Sequence, residues 1–195
     1  MRKYTMQQQS RSPLTVWRHW LWLAVLVGAS VGFTLGLACA VPLAAFAAAA
    51  ALTLSRRDAL VLIVAVWLAN QLVGFAVLDY PWTASTFAWG AALGAVAILA
   101  TLAGQWTVEH SMGRGGAVGY IATFLVGFAV YEVALFAVSA ILLGGTEIYT
   151  VAIQGWILAV NAIAFVGLLV LHRLAISAGF AVKPTTGPAM TESHA

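Results

Sequence analysis

The sequence predicts an all-α membrane protein, a bundle of six transmembrane helices with both termini on the cytoplasmic side. The first observation is composition, since 63% of the residues are hydrophobic and only 8% are charged, against about 25% charged in an ordinary soluble domain. The second is a series of apolar runs of about 20 residues, the length that crosses a bilayer as a helix. The third is that every lysine and arginine falls on one side of the resulting arrangement, as the positive-inside rule describes.

Four apolar runs are each long enough for one membrane span. They cover residues 59–78, 84–103, 117–143 and 148–171. Residues that favour turns separate them, among them Asp79, Tyr80 and Pro81 after the first run and Gly144 with Gly145 after the third. Such clusters interrupt helical periodicity, so we predict four separate helices.

The stretch 21–54 is too long for one upright helix and short for two. Pro42 favours a division, because a proline disfavours helical geometry in the residue before it and suits the first turn of a new helix. We therefore predict one helix over 21–37 and a second, short one over 42–54. These bring the number of helices to six.

The placement of charge tests this number independently. With six crossings, all nine basic residues lie on one face, while the opposite loops hold Asp79 and Glu147. With five crossings, the basic residues that precede the first helix would lie opposite the others. Six crossings with a cytoplasmic N-terminal segment at 1–19, a membrane domain at 20–177 and a disordered cytoplasmic tail at 178–195 satisfy the rule. We expect a multi-pass protein of a bacterial-type inner membrane.

The N-terminal region has an alternative interpretation as a cleaved or lipid-modified leader. Ala38, Cys39 and Ala40 end an apolar segment behind a basic start, which loosely resembles a signal-peptidase or lipoprotein site. The basic leader is long, and hydrophobicity resumes directly after Cys39. We therefore predict that the first helix is retained.

Polar and aromatic residues within the predicted spans are the candidate ligand-binding residues, because polar groups in a bilayer are costly and usually face the bundle. Glu132 is the acidic residue placed well within a span, and no span contains a lysine or arginine to neutralise it. Gln154 and Asn161 are seven residues apart and so share one helix face. The orientation directs such residues towards a cavity open to the outer face, rimmed by tryptophans and Tyr149. The full set is Trp67, Asn70, Gln71, Trp82, Trp89, Tyr131, Glu132, Gln154, Trp156 and Asn161.

The polar residues have a second interpretation, which is hydrogen bonding between helices with no ligand. Each such bond contributes roughly 0.6 to 2 kcal/mol in a bilayer. For Asn70, Gln71 and Asn161 the sequence favours neither interpretation. For Glu132 it favours a functional site, because the carboxylate is either protonated or available to a cation or a polar ligand.

A stripe of small residues runs along the first predicted helix. Its members are Ala24, Gly28, Gly32, Gly36 and Ala40, which recur every four residues and so lie on one face. Small residues let helix backbones approach closely in lipid. The stripe therefore indicates either packing within the bundle or docking of a separate subunit.

The sequence lacks the patterns of the common enzyme classes. It contains no G-x-S-x-G elbow, no phosphate-binding loop followed by lysine, and no paired histidines at metal-ligand spacing within a span. We expect no enzymatic activity, no cofactor and no metal site, and an intramembrane enzyme that uses Glu132 is the least favoured function. The basic residues form no single face for nucleic acid. The partners we expect are membrane lipid, a small-molecule ligand and possible further subunits.

The size, the six-helix layout and the stripe from Ala24 to Ala40 resemble the S components of energy-coupling factor vitamin transporters. The resemblance covers the membrane region from about residue 21 to residue 173. It implies a substrate-binding membrane subunit with an outward pocket for a vitamin-like solute, docked through the first helix to a transmembrane coupling subunit that two ATPases drive. Tryptophans and a carboxylate also suit a cationic or aromatic solute. The alternative function is a structural or assembly subunit of a larger membrane complex, docked through the stripe.

Overall fold

The computed structural model describes residues 13–37, 41–110 and 116–179, and six α-helices account for most of them. The helices are α1 (Pro13–Leu37), α2 (Leu43–Thr53), α3 (Arg56–Ala76), α4 (Ala84–His110), α5 (Ala117–Val138) and α6 (Val151–Ser177). A wider π-type turn, Ser139–Leu143, continues α5, and one 3-10 turn, Thr146–Ile148, precedes α6. The described residues contain no strand. The predicted all-α architecture is confirmed.

Five of the helices are long and apolar enough to cross a membrane, and α2 is a shorter apolar helix. At about 1.5 Å per residue, the 11 residues of α2 extend about 16 Å. A hydrocarbon core is about 30 Å thick, so α2 reaches about half of it. The chain folds as a helical bundle with the composition of a multi-pass membrane protein.

The direction of α2 follows from its two neighbours in the chain. At one end of α1, His19 Nε2 lies 3.4 Å from Asp58 Oδ1 at the start of α3. Further along, the side chains of Thr34 and Asn70 are hydrogen-bonded. The two contacts occur in the same order along both helices, so α1 and α3 run parallel. The segment between them, which contains α2, must therefore return the chain to the end of the bundle where α1 begins.

The remaining helices alternate in direction. Tyr120 at the start of α5 lies beside Arg173 near the end of α6, and Phe136 at the end of α5 packs against Tyr149 before α6, with ring centroids 5.0 Å apart. Trp67 of α3 lies against Gly94 of α4, and Gln71, one turn later in α3, lies against Gly90, four residues earlier in α4, so these two helices are antiparallel.

The two ends of the bundle differ in charge. We call one end the basic end because arginines lie there, and the other the acidic end because it carries two carboxylates. The basic end carries Arg18, Arg56, Arg57 and Arg173, and the acidic end carries Asp79 and Glu147. Within the described ranges the acidic end holds no lysine or arginine. The other basic residues, Arg2, Lys3, Arg11, Arg114 and Lys183, lie outside those ranges.

The core of the bundle is α2, whose residues from Leu43 to Ala51 are all buried. It contacts α3, α4, α5 and α6, while α1 packs mainly on α3. Seven of its eleven residues are alanine, and glycines on the neighbouring helices face them. A Cβ at Gly104 would lie 3.0 Å from the Cβ of Ala51, and one at Gly127 would lie 3.9 Å from the Cβ of Ala48. Small side chains thus let four helices surround a fifth.

Several helices extend beyond the predicted apolar runs. The first begins at Pro13 rather than at residue 21, α4 continues to His110, and α6 continues to Ser177. Backbone hydrogen bonds do not require an apolar environment, and Pro13 suits a first helical turn, so a helix continues into the interface. The predicted boundary at 19/20 falls within α1. Most of the predicted tail, from residue 180, lies outside the described residues.

Candidate functional site

A cavity of about 480 Å³ opens at the acidic end between α4, α5 and α6. Its walls combine aromatic, aliphatic and polar side chains, a mixture typical of small-molecule sites. The lining residues are Val41, Trp89, Leu93, Tyr131, Glu132, Leu135, Ile148, Tyr149, Gln154, Trp156, Ile157, Val160 and Asn161. Six of them belong to the predicted ligand-binding set.

Tyr131 and Glu132 bring two polar groups from α5 to the cavity. Tyr131 is only 6% exposed, and Glu132 is half-buried. In the part of the chain that the structure describes, neither side chain makes a hydrogen bond or an ion pair. None of the described lysine, arginine or histidine residues lines the cavity, so the carboxylate has no basic neighbour among them.

Tyr149 reaches the cavity from the connection between α5 and α6. Gly144 and Gly145 adopt φ angles of 78° and 90°, a conformation that favours glycine and that turns the chain back over the cavity. Burial raises the pKa of the Tyr149 phenol, and the nearby Glu132 carboxylate raises it further. Tyr149 is therefore a neutral hydroxyl that can donate a hydrogen bond.

The two amides come from α6, which Thr150 caps by accepting a hydrogen bond from the backbone of Ile153. Gln154 follows in the first turn and makes no side-chain hydrogen bond within the described residues. Asn161 makes two hydrogen bonds: its Oδ1 accepts from the backbone N–H of Ala45 at 3.0 Å, and its Nδ2 donates to the carbonyl of Ile157. Asn161 thus caps the buried N-terminus of α2 while it borders the cavity.

Aromatic side chains form much of the cavity wall. Trp89 comes from α4 and is half-buried, whereas Trp156 comes from α6 and is 64% exposed. Tyr149 is held edge-on against Phe136, with the two rings inclined by 79°. With Tyr131, the cavity therefore offers four aromatic residues around a single acidic group.

Comparison of the chain with protein-family models, with curated proteins and with solved structures returns no match.

Four predicted ligand-binding residues lie away from this cavity. The carboxamide of Asn70 joins α1 to α3 through Thr34, and its Nδ2 donates to the carbonyl of Val66. Trp67 donates to the carbonyl of Gly90 at 2.8 Å. A contact of these residues with a ligand stays a prediction.

The other two residues of the four are Gln71, which packs against α4, and Trp82, which packs beside the start of α4. The side chain of Gln71 lies against Gly90, leaving no space there for a Cβ. Trp82 is exposed at the acidic end and packs on Phe75 and Phe87, with ring centroids 5.1 and 5.9 Å away. Neither side chain belongs to the lining of the cavity.

The aliphatic lining residues were not predicted from the sequence. One signal was present, because Leu93 follows Trp89 by four positions, Leu135 follows Tyr131 by four, and Ile157 follows Gln154 by three. Such spacing places each aliphatic residue beside a predicted one on the same helix face. In a membrane helix this signal is weak, because lipid-facing residues are equally apolar.

The small-residue stripe of α1 lies on an exposed face. Ala24, Gly28, Gly32 and Gly36 are all exposed, and a Cβ on any of the three glycines would meet nothing within 4 Å. A shallow groove of about 370 Å³ runs past Gly32 and Gly36. Ala40, the fifth member, lies outside the described residues. The stripe makes no close packing contact within the described bundle.

Proposed function

We propose that the protein binds a small molecule in the cavity at the acidic end and helps to take it into the cell. The observation that carries the proposal is the set of polar groups on Tyr131, Glu132 and Gln154, which have no hydrogen-bond partner among the described residues and converge on one cavity. Polar groups at such depth are costly and commonly mark a binding site or a transport path. The cavity volume of about 480 Å³ lies in the usual range for ligands of drug or vitamin size, roughly 300 to 1,000 Å³.

We further propose six crossings of a bacterial-type inner membrane, with the basic end in the cytoplasm. The parallel course of α1 and α3 requires a return between them, which supports an even number of crossings. Among the described residues, the arginines at one end and the carboxylates without a lysine or arginine at the other agree with the positive-inside rule. In this orientation the cavity opens to the outside.

In this proposal, partner proteins supply the energy for uptake. The solute is vitamin-like, or cationic or aromatic, and the chain acts as the substrate-binding subunit beside a transmembrane coupling subunit and its ATPases. The exposed stripe of α1 supports this arrangement, because glycines without neighbours leave room for a second backbone. We propose no catalytic step for the chain itself.

Replacing Trp156 with alanine tests the binding site. In right-side-out membrane vesicles, we expect at least one member of a panel of radiolabelled water-soluble vitamins and aromatic amines to bind to the wild-type protein, and inverted vesicles to bind much less. Trp156→Ala should weaken that binding about tenfold, since a ring that stacks on a ligand contributes about 1 to 2 kcal/mol. The measurement is equilibrium binding by filtration.

Trp106→Ala is the matched control. Trp106 is also an exposed tryptophan, but it packs on His110 at the basic end, so its loss should leave binding unchanged. If no member of the panel binds the wild-type protein, or if both variants lose binding equally, the proposed site is wrong.

The second candidate function is a structural or assembly subunit of a membrane complex, and the exposed stripe is the observation that favours it. Gly32→Leu should then abolish co-purification of a partner in mild detergent, because leucine would separate the two backbones. Gly167→Leu on α6 is the control, since Gly167 is an exposed glycine with nothing within 4 Å of an added Cβ. A wild-type chain that purifies without any partner would count against this function.

A further inference from the structure

The charge of the cavity narrows the chemistry of its ligand. Glu132 is the charged residue among the thirteen that line it. Of the other polar groups, Tyr131 is more than nine-tenths buried, and its hydroxyl has no hydrogen-bond partner among the described residues. An anionic ligand would meet a carboxylate with no basic group to offset the repulsion. A neutral ligand would leave an ionised Glu132, which has no ion pair among the described residues, without a charged partner in a partly dehydrated site, whereas a cation would supply one.

The walls favour an organic cation over a bare metal ion. Sodium and calcium bind shells of several oxygen ligands, whereas four of the thirteen lining residues are aromatic. Aromatic faces attract ammonium groups through the ring quadrupole, by about 2 kcal/mol or more where water is excluded. The volume of about 480 Å³ also exceeds what a single ion would occupy.

We propose, on the basis of the function above, that the ligand is an organic ammonium compound whose charged nitrogen lies beside Glu132 and whose apolar body lies against Trp89 and Trp156. Tyr149 and Gln154 hydrogen-bond its polar groups. Leu93, Leu135 and Ile157 contact the rest of the molecule. The proposed ligand is therefore a monovalent amine or a quaternary ammonium compound, a narrower class than small solutes in general.

The test compares three probes of similar size that differ in charge: benzyltrimethylammonium, benzyl alcohol and benzoate. Isothermal titration calorimetry on the purified full-length protein in detergent should give an affinity for the ammonium probe about tenfold or more above that for the other two, from ion pairing with Glu132 and cation–π attraction. Raising the sodium chloride concentration at constant ionic strength, in a buffer free of choline, should not weaken binding of the ammonium probe.

Glu132→Gln keeps the size of the side chain and removes its charge, so the advantage of the ammonium probe over benzyl alcohol should fall to the part that the aromatic rings supply. Glu132→Asp should retain the preference for the cation. Glu147→Gln is the matched control, because Glu147 is an exposed acidic residue at the same end that does not line the cavity. Its affinities should equal those of the wild type.

The outcomes separate the two proposals. If the wild-type protein binds benzyl alcohol or benzoate as tightly as the ammonium probe, or if Glu132→Gln keeps the full preference, the cation assignment is overturned while the cavity remains a ligand site. If none of the three probes binds and no vitamin or amine binds in vesicles, both proposals fail. Competition by sodium would replace the organic cation with an inorganic one.

Discussion

Replacing Ala48 with leucine is expected to destabilise the bundle strongly. Ala48 is completely buried in α2, which contacts four other helices. Its Cβ lies 3.9 Å from where a Cβ on Gly127 would be, and the residue itself is fully enclosed, so three additional carbon atoms have no space. Overpacking of a core usually costs about 1 to 3 kcal/mol and occasionally more, and we expect about 3 kcal/mol here because neighbours enclose the site on every side. Reversible unfolding in mixed micelles measures the free energy.

Ala159→Leu is the control for this change. Ala159 lies in α6 and is exposed, so the same substitution adds apolar surface towards lipid and should leave the free energy of unfolding within about 0.5 kcal/mol of the wild type. If Ala48→Leu is as stable as Ala159→Leu, then α2 does not lie at the centre of the bundle.

Replacing Asn161 with leucine is expected to destabilise the bundle by about 1 to 3 kcal/mol, the cost of leaving a buried backbone group without its partner. The Asn161 side chain accepts a hydrogen bond from the backbone N–H of Ala45 in the first turn of α2. The first N–H groups of a helix have no partner within that helix, and a bilayer offers no water to replace one. Thermal unfolding in detergent, followed by circular dichroism, measures the effect.

Gln154→Leu separates this effect from a general effect of altering the cavity. Gln154 lines the same cavity on the same helix but makes no side-chain hydrogen bond within the described residues. We expect its stability to equal that of the wild type. A loss of equal size in both variants would show that the bond to Ala45 contributes nothing.

The predicted polar residues show what helical periodicity can and cannot predict about a site. Gln154 and Asn161 share a helix face as their spacing predicts, and Tyr131 and Glu132 of α5 meet that face across one cavity. The same reasoning placed Asn70 in the cavity set, yet Asn70 faces α1 and pairs with Thr34. Periodicity gives the angle between residues on one helix and leaves open which neighbour each face meets.

The stripe of α1 shows the same limit. Its spacing predicts a common face, and its four described members do lie on one exposed face. Whether that face would pack inside the bundle or remain open could not be decided from spacing, because lipid and protein interior are both apolar. The alanines of α2, which carry no distinctive pattern, form the centre instead.

By itself, the sequence determined the helical bundle, the break before Pro42, the separation of basic and acidic ends, and the set of polar residues from which a site could be built. These properties depend on composition and local spacing along one chain. Only the tertiary structure decided that α2 is the core, that the stripe faces outwards, and that Glu132 shares a cavity with Trp89, Tyr149 and Trp156. The physical reason is that in a membrane protein both sides of a helix are apolar, so the rotation of each helix about its own axis is fixed by packing against its neighbours.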